Sequence, residues 1–211
     1  YDLVRIFLKE KCVELFCFDI NPCRDFLGQK VEQLDITDFD TTYKILTKLN
    51  PDVIIHTVSM TNVDRCEEEP LQAYKINSIG TKNVAIAAQK FDSLMVYIST
   101  DYVFDGQKKD FYTEFDKVNP INVYGETKLQ AENFVKQFLN RYLIIRTSWL
   151  FGRNRDNYIT CWYNSIKQGE KPVVVNEQYG CPTYTMDLAE YIKILILKNR
   201  IGLYNLVNNG G

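Results

Sequence analysis

Short, almost continuously apolar runs rich in β-branched residues recur along this chain, and they limit its fold more than any other feature. They are Val13–Phe18, Val53–Val58, Leu94–Ser99, Tyr142–Arg146 and Val173–Val175. A strand with one wet face alternates apolar and polar residues, whereas a continuous apolar run is expected where both faces are covered. Between the runs lie stretches with helical spacing, near 2–10, 38–49, 68–91, 123–139, 155–168 and 185–198. Asp38 is placed to cap the second helix, and Asn50-Pro51 ends it, because proline lacks the N–H that would continue the ladder. This βαβα rhythm predicts an α/β fold built on a doubly wound parallel sheet.

The rhythm is irregular at its start. A Rossmann-like, NAD(P)-binding unit opens with a strand and a glycine-rich turn that holds a pyrophosphate at a helix N-terminus. Here the chain opens on the helix-like string Tyr1–Lys9, and no GxGxxG or GxxGxxG pattern occurs anywhere. The expectation is a chain that begins just after that turn. Residues 1–150 are then a Rossmann-like dinucleotide-binding domain lacking its first strand. Residues 151–211 are a mixed segment that forms part of a small substrate lobe and supplies the last Rossmann elements.

Charge and cysteine usage exclude other classes. Lys and Arg number 25 against 27 for Asp and Glu, so there is no basic footprint for nucleic acid or an anionic membrane surface. No apolar run approaches the roughly 18 residues needed to span a bilayer. The six cysteines include no CxxC pair and the sole histidine is His56, which argues against a metal site. Cys17 lies inside an apolar run and the spacings match no small secreted scaffold. Free thiols and a cytoplasmic setting are the expectation.

Tyr124-Gly-Glu-Thr-Lys128 is the first candidate for chemistry. Residues four apart share a helix face, so the phenol and the ammonium can approach each other, and a nearby cation favours a phenolate. Tyr124 is then a proton donor to a carbonyl undergoing reduction. The pair alone is weak. Among 14 tyrosines the spacing recurs by chance, as it does at Tyr163 and Lys167. The setting strengthens it: Ile98-Ser-Thr-Asp101 ends a buried strand in two hydroxyls and a carboxylate, at the edge where α/β sites form. Thr100 is placed to polarise a carbonyl by hydrogen bonding. The plainer reading of Ser99, Thr100 and Asp101 is a strand end turning into a loop.

Other strand ends supply cofactor candidates. Asp19 ends the first visible strand, where a carboxylate can accept from ribose hydroxyls. Asp35-Ile36 follows the next extended stretch, and Ser59-Met60-Thr61 follows the Val53–Val58 run. His56 reads as a satisfied core histidine, and Glu67-Glu-Glu69 as a solvated run favourable to the N-terminus of a helix.

Several strings together carry a family resemblance. Ser99-Thr-Asp-Tyr-Val-Phe-Asp-Gly106, Asn122-Val-Tyr-Gly-Glu-Thr-Lys128, Arg146-Thr-Ser-Trp-Leu-Phe-Gly152 and Tyr179-Gly-Cys-Pro-Thr183 resemble the dTDP-4-dehydrorhamnose reductases, a family of extended short-chain dehydrogenase/reductases. Leu34–Asp38 and Asn50–Val53 fall in register with it. The resemblance implies reduction of the 4-keto group of dTDP-4-dehydro-L-rhamnose to dTDP-L-rhamnose with NADPH or NADH. It implies a catalytic triad of Thr100, Tyr124 and Lys128, with Lys128 holding the nicotinamide ribose and lowering the Tyr124 pKa. It places Asp19, Asp35, Ile36, Ser59, Met60, Thr61, Ile98, Tyr124 and Lys128 on the dinucleotide, and Thr100, Asp101 and Trp149 on the sugar nucleotide. A homodimer and a divalent metal such as Mg2+ between subunits are known in parts of the family; the sequence locates neither.

Three alternatives bear weighing. A sugar-nucleotide 4,6-dehydratase carries Asp-Glu after its Thr, and here Tyr102 follows Asp101. A 4-epimerase shares the fold. A regulatory subunit resembling the methionine adenosyltransferase β subunit binds dinucleotide without a known need for turnover. Asp19 favours NAD(H) by repelling a 2′-phosphate, whereas Arg24 is near enough in sequence to bind one.

Overall fold

Parallel strands and helices alternate as the apolar runs require. The computed structural model describes residues 1–22, 27–153, 157–171 and 177–209. In chain order the elements are α1 (Asp2–Phe7), β1 (Cys17–Asp19), β2 (Val31–Gln33), α2 (Phe39–Leu49) and β3 (Val53–His56). Then come α3 (Val63–Glu68), α4 (Pro70–Ala73), a π-helical segment (Tyr74–Gly80), α5 (Thr81–Gln89) and β4 (Leu94–Thr100). A 3-10 turn (Asp101–Val103), α6 (Val123–Phe138), β5 (Tyr142–Thr147), β6 (Leu150–Phe151) and α7 (Tyr158–Lys167) follow. The last are β7 (Thr183–Tyr184), α8 (Thr185–Leu197) and β8 (Gly202–Asn205). The expected strand Val173–Val175 lies outside the described residues, as do Cys23 and Arg24.

The chain forms two compact units. The larger comprises Phe16–Arg146 with Arg200–Asn205. Its main sheet has the order β3-β4-β5-β8, and β1 pairs with β2 in a separate ladder. The β1–β2, β3–β4 and β5–β8 pairs are all parallel. Among the described residues, β1 pairs only with β2 and β3 only with β4.

Burial explains the strand composition. In β4 every residue from Leu94 to Thr100 is buried except the half-buried Ile98. Met95 and Tyr97 of β4 and Ile144 of β5 join Val84, Ala85, Ala87 and Ala88 of α5 and Ala131 and Val135 of α6 in one apolar core. Fully burying each such aliphatic side chain contributes on the order of 1.5–3 kcal/mol. The small α5 residues let that helix lie close to its neighbours.

The smaller unit comprises Tyr1–Leu15, Thr147–Asn199 and Leu206–Gly211. Here Thr185 Oγ1 of α8 donates to Asp2 Oδ2 of α1 at 2.5 Å, and Lys193 Nζ of α8 donates to Glu10 Oε1, just past the end of α1, at 3.3 Å. The short β6–β7 pair is parallel.

Several elements depart from the sequence expectation. The strand expected over Val13–Phe18 lies at Cys17–Asp19, with Val13 38% and Phe16 48% exposed, so no covered face exists for the earlier residues. The helix expected over 2–10 ends at Phe7. The single helix expected over 68–91 is broken. Pro70 starts α4 as its first residue, where its missing N–H costs nothing. A wider π-helical turn then holds Asn77 at its centre. A Cβ on Gly80, at the end of that turn, would lie 2.6 Å from Ile36 Cδ1, so glycine permits the close approach. Asp38 caps α2 as expected, accepting from Thr41 N at 3.2 Å, and Asn50 ends it in the left-handed region at φ 47°.

Candidate active site

Ser59, Thr100 and Tyr124 converge in the larger unit. Thr100 ends β4, and Ser59 lies three residues beyond β3, so two adjacent parallel strands deliver hydroxyls to one edge. Tyr124 sits in the first turn of α6, which Asn122 caps by accepting from Gly125 N at 2.7 Å. Glu67 of α3 accepts from Val123 N at 2.7 Å, a second anchor on the same helix start. That contact corrects the reading of Glu67 as merely solvated. A Cβ on Gly125 would come within 2.1 Å of the Tyr102 carbonyl oxygen, so glycine lets the helix carrying Tyr124 seat against the β4 turn.

Ser59 Oγ donates to Asn77 Oδ1 at 3.0 Å, and Thr100 Oγ1 donates to Asp101 Oδ1 at 3.1 Å. Both hydroxyls also lie within hydrogen-bond reach of the Tyr124 phenol oxygen. Burial pushes the Tyr124 phenol up to about 12, and the Thr100 and Ser59 hydroxyls beside it oppose that rise. Burial also raises the Asp101 carboxyl, against the hydrogen bond from Thr100.

Lys128 is 2% exposed. Its ammonium donates to Ile98 O at 2.6 Å and lies 4.3 Å from the centre of the Tyr97 ring. Burial lowers it to about 7, with Glu132 acting in the opposite direction. The expected lowering of Tyr124 by Lys128 does not occur here. Desolvation dominates the phenol, and the ammonium is directed at the Ile98 carbonyl.

Behind the site lies a buried polar group that the sequence reading missed. Asn77 is fully buried. Its Oδ1 accepts from Met60 N at 2.7 Å and from Ser59, and its Nδ2 donates to Met60 O at 3.1 Å and Thr127 Oγ1 at 3.0 Å. One amide thus ties the loop after β3 to the helix turn before Lys128. Thr81 Oγ1, which bonds Asn77 O at 2.6 Å, also meets His56 Nε2 at 2.9 Å. His56 is a satisfied core residue, held neutral at about 3 first by burial and then by the Lys128 charge. Asn77→Ala strands several buried partners at once and is expected to lower Tm by roughly 5–10 °C in a thermal melt.

The remaining candidates separate. Asp19 and Asp35 are exposed just at or beyond the ends of the paired strands β1 and β2, and each accepts from a backbone N–H two residues on, Asn21 and Thr37, at 2.9 Å. Ile36 and Met60 are buried, and Thr61 is exposed. Trp149 belongs to the smaller unit. It is held in the left-handed region at φ 44°, a conformation costing on the order of 1–3 kcal/mol for a non-glycine residue. Its ring packs edge-on to Tyr158, with centroids 5.5 Å apart, and a Cβ on Gly180 would lie 2.7 Å from it. The same unit has an open hollow of about 910 Å³ lined by Phe151, Arg153, Thr160, Tyr184, Asp187 and Asn208. Tyr163, of the second Tyr-x-x-x-Lys spacing, is 64% exposed on α7. Among the described residues no cluster of three or more His, Cys, Asp or Glu side chains is arranged to hold a metal ion, and no helix is long and apolar enough to cross a membrane.

Comparison with known proteins gives this geometry a family. The RmlD substrate binding domain profile matches residues 20–211. A dTDP-4-dehydrorhamnose reductase of Aggregatibacter actinomycetemcomitans is 36% identical over 168 residues, covering 80% of this chain and 57% of that protein. A crystal structure of the same kind of reductase from Clostridium acetobutylicum superposes with a TM-score of 0.85 at 38% identity, over 99% of this chain and 70% of that one. The Bacillus anthracis reductase, solved in complex with NADP, gives 0.82 at 40% identity, over 85% of this chain and 66% of that one. The chain spans 57–65% of the length of the first curated relatives. With its parallel α/β sheet and with strings matched along most of its length, the chain belongs to the RmlD family of dTDP-4-dehydrorhamnose reductases.

Proposed function

We propose that the protein reduces the 4-keto group of dTDP-4-dehydro-L-rhamnose to dTDP-L-rhamnose, using NADPH or NADH. The observation that carries this reading is the convergence of Ser59 and Thr100 on Tyr124, with Lys128 buried one turn along the same helix. When bound, the reduced dinucleotide supplies the hydride. Tyr124 holds the proton for the nascent alkoxide on its phenol oxygen, where burial keeps it protonated across the physiological range. Thr100 positions the carbonyl oxygen, for which its hydroxyl must turn from Asp101 toward the substrate. Asp101 would bind the sugar nucleotide beside Thr100; the assignment of Trp149 to that ligand rests on the family resemblance alone.

The strand ends suit a dinucleotide. Asp19 and Asp35 present exposed carboxylates at the C-terminal edge of a parallel ladder, where ribose hydroxyls are bound in doubly wound folds. Ile36, Ser59, Met60, Thr61 and Ile98 would line the rest, and Lys128 would hold the nicotinamide ribose. Asp19 favours NAD(H), while the Bacillus anthracis relative carries NADP. A competition titration of the two reduced forms decides between them. The reading also places the protein in the cytoplasm, consistent with the free thiols Cys12, Cys17, Cys66, Cys161 and Cys181. It also allows a homodimer, for which Tyr191, Ile194 and Leu197 of α8 offer exposed apolar surface.

The test is dinucleotide oxidation in the presence of dTDP-4-dehydro-L-rhamnose, with product identified by mass and sugar stereochemistry. Turnover to dTDP-L-rhamnose is the expected result. Tight dinucleotide binding without turnover would overturn it in favour of a regulatory binding protein.

A further inference from the structure

A buried carboxylate one helical turn beyond Lys128 has no part in the chemistry described above. Glu132 is fully buried. Its Oε1 accepts from Ser99 Oγ at 2.7 Å and Arg146 Nε at 2.8 Å, and its Oε2 from Arg146 Nη2 at 2.7 Å and Lys136 Nζ at 3.4 Å. Arg146 is 4% exposed, and its guanidinium also lies over the Phe104 ring at 5.0 Å. Three elements therefore meet at one side chain. Ser99 immediately precedes Thr100 on β4, Arg146 is on β5, and Glu132 shares α6 with Tyr124 and Lys128.

Stability alone does not account for this pair. Desolvating two charges offsets most of their attraction, and apolar residues of similar volume often serve the fold as well or better. An apolar pair would supply neither a directional bond to Ser99 nor a negative charge near Lys128. We propose that Glu132 is a positioning residue that locks the strand end bearing Thr100 to the helix bearing Tyr124 and sets a negative charge one turn from Lys128 on the same helix. The charges around Lys128 support this. His56 on β3 is held neutral, Tyr97 on β4 is raised well above the ordinary phenol range by burial, and Tyr124 on α6 is also held protonated. Glu132 is the group whose charge favours the Lys128 ammonium against burial. Arg146 and Lys136 face Glu132 from β5 and α6.

The consequence for turnover rests on the reductase reading; the consequence for Lys128 does not. The experiment uses the full chain, Glu132→Gln, and the double variant Glu132→Leu/Arg146→Met, which leaves no orphaned charge if the single variant fails to fold. Lys128 titration is followed by NMR of 13C-labelled lysine, alongside the pH profile of kcat and the dinucleotide Kd. In Glu132→Gln the Lys128 midpoint is expected to fall by about one pH unit, and the loss of kcat at rising pH to move with it. In the double variant kcat is expected to drop about tenfold with the dinucleotide still bound. An unchanged Lys128 midpoint in a folded Glu132→Gln, or wild-type kcat and pH profile in the double variant, overturns the proposal. An inactive wild type defeats the reductase reading instead, and the Lys128 midpoint then decides the role of Glu132 by itself.

Discussion

Tyr124→Phe is expected to lower turnover by about 10²–10⁴-fold, the usual range for losing a positioned general acid, while dinucleotide affinity stays close to that of the wild type. The substitution removes one hydroxyl and keeps the ring that packs edge-on to Tyr102, with centroids 5.7 Å apart. It leaves Ser59 and Thr100 bonded to Asn77 and Asp101. The fold should hardly notice, with Tm within about 3 °C of wild type. The chemistry should notice, because a phenol held up at about 12 is a poor base at neutral pH but remains a proton donor to a stronger base, a developing alkoxide. Steady-state kinetics paired with a fluorescence titration of bound dinucleotide separates the two effects. Unchanged kcat would remove Tyr124 from the mechanism, and a parallel loss of dinucleotide binding would make it a binding residue instead.

Much of the scaffold was legible because burial on both faces leaves a plain mark on composition. The runs at 53–58, 94–99 and 142–146 became β3, β4 and β5, each within two residues at its ends. The helices at 123–139 and 185–198 were also placed to within one residue. Strands of two or three residues such as β2, β6 and β7 carry too little pattern to read. The stretch from 68 to 91 was misread for a different reason. Its helical spacing persists across Pro70 and the π-helical turn, so periodicity cannot show where the backbone widens around Asn77.

The candidate site shows the same division. Thr100, Tyr124 and Lys128 were legible as a hydroxyl-bearing strand end and a helix-face pair. Asn77, Glu67 and Glu132 were not, because the partners that tie them to the site, Thr127, Val123 and Arg146, lie 14 to 56 residues away on other elements. The direction of the Tyr124 shift was missed as well. Spacing reports that an ammonium is one turn away, but not that the phenol is buried and the ammonium is turned toward a carbonyl.

Lys128→Met is expected to raise stability and lower turnover together. Burial holds Lys128 at about 7 against its ordinary 10.5. Between those values the unfolded chain binds a proton that the native chain does not, so stability rises with pH from about 7 to about 10.5. Below pH 7 the cost of burying the ammonium is present in full. Methionine keeps an unbranched stem of similar reach and carries no charge. Against that gain, Ile98 O loses its 2.6 Å donor, a loss of about 1–2 kcal/mol. The net expectation at pH 6.5 is a Tm higher by about 3–6 °C. The advantage should shrink steadily as the pH is raised toward 10.5, because the wild-type lysine sheds its proton. Turnover should fall by about 10²–10³-fold, as when a preorganised electrostatic donor is removed. Thermal melts across pH beside steady-state kinetics check both halves. A lower Tm at pH 6.5 would mean that the Ile98 and Tyr97 contacts outweigh desolvation and that Lys128 serves the fold. A higher Tm with lost turnover would identify a buried charge that the fold tolerates for the sake of the reaction.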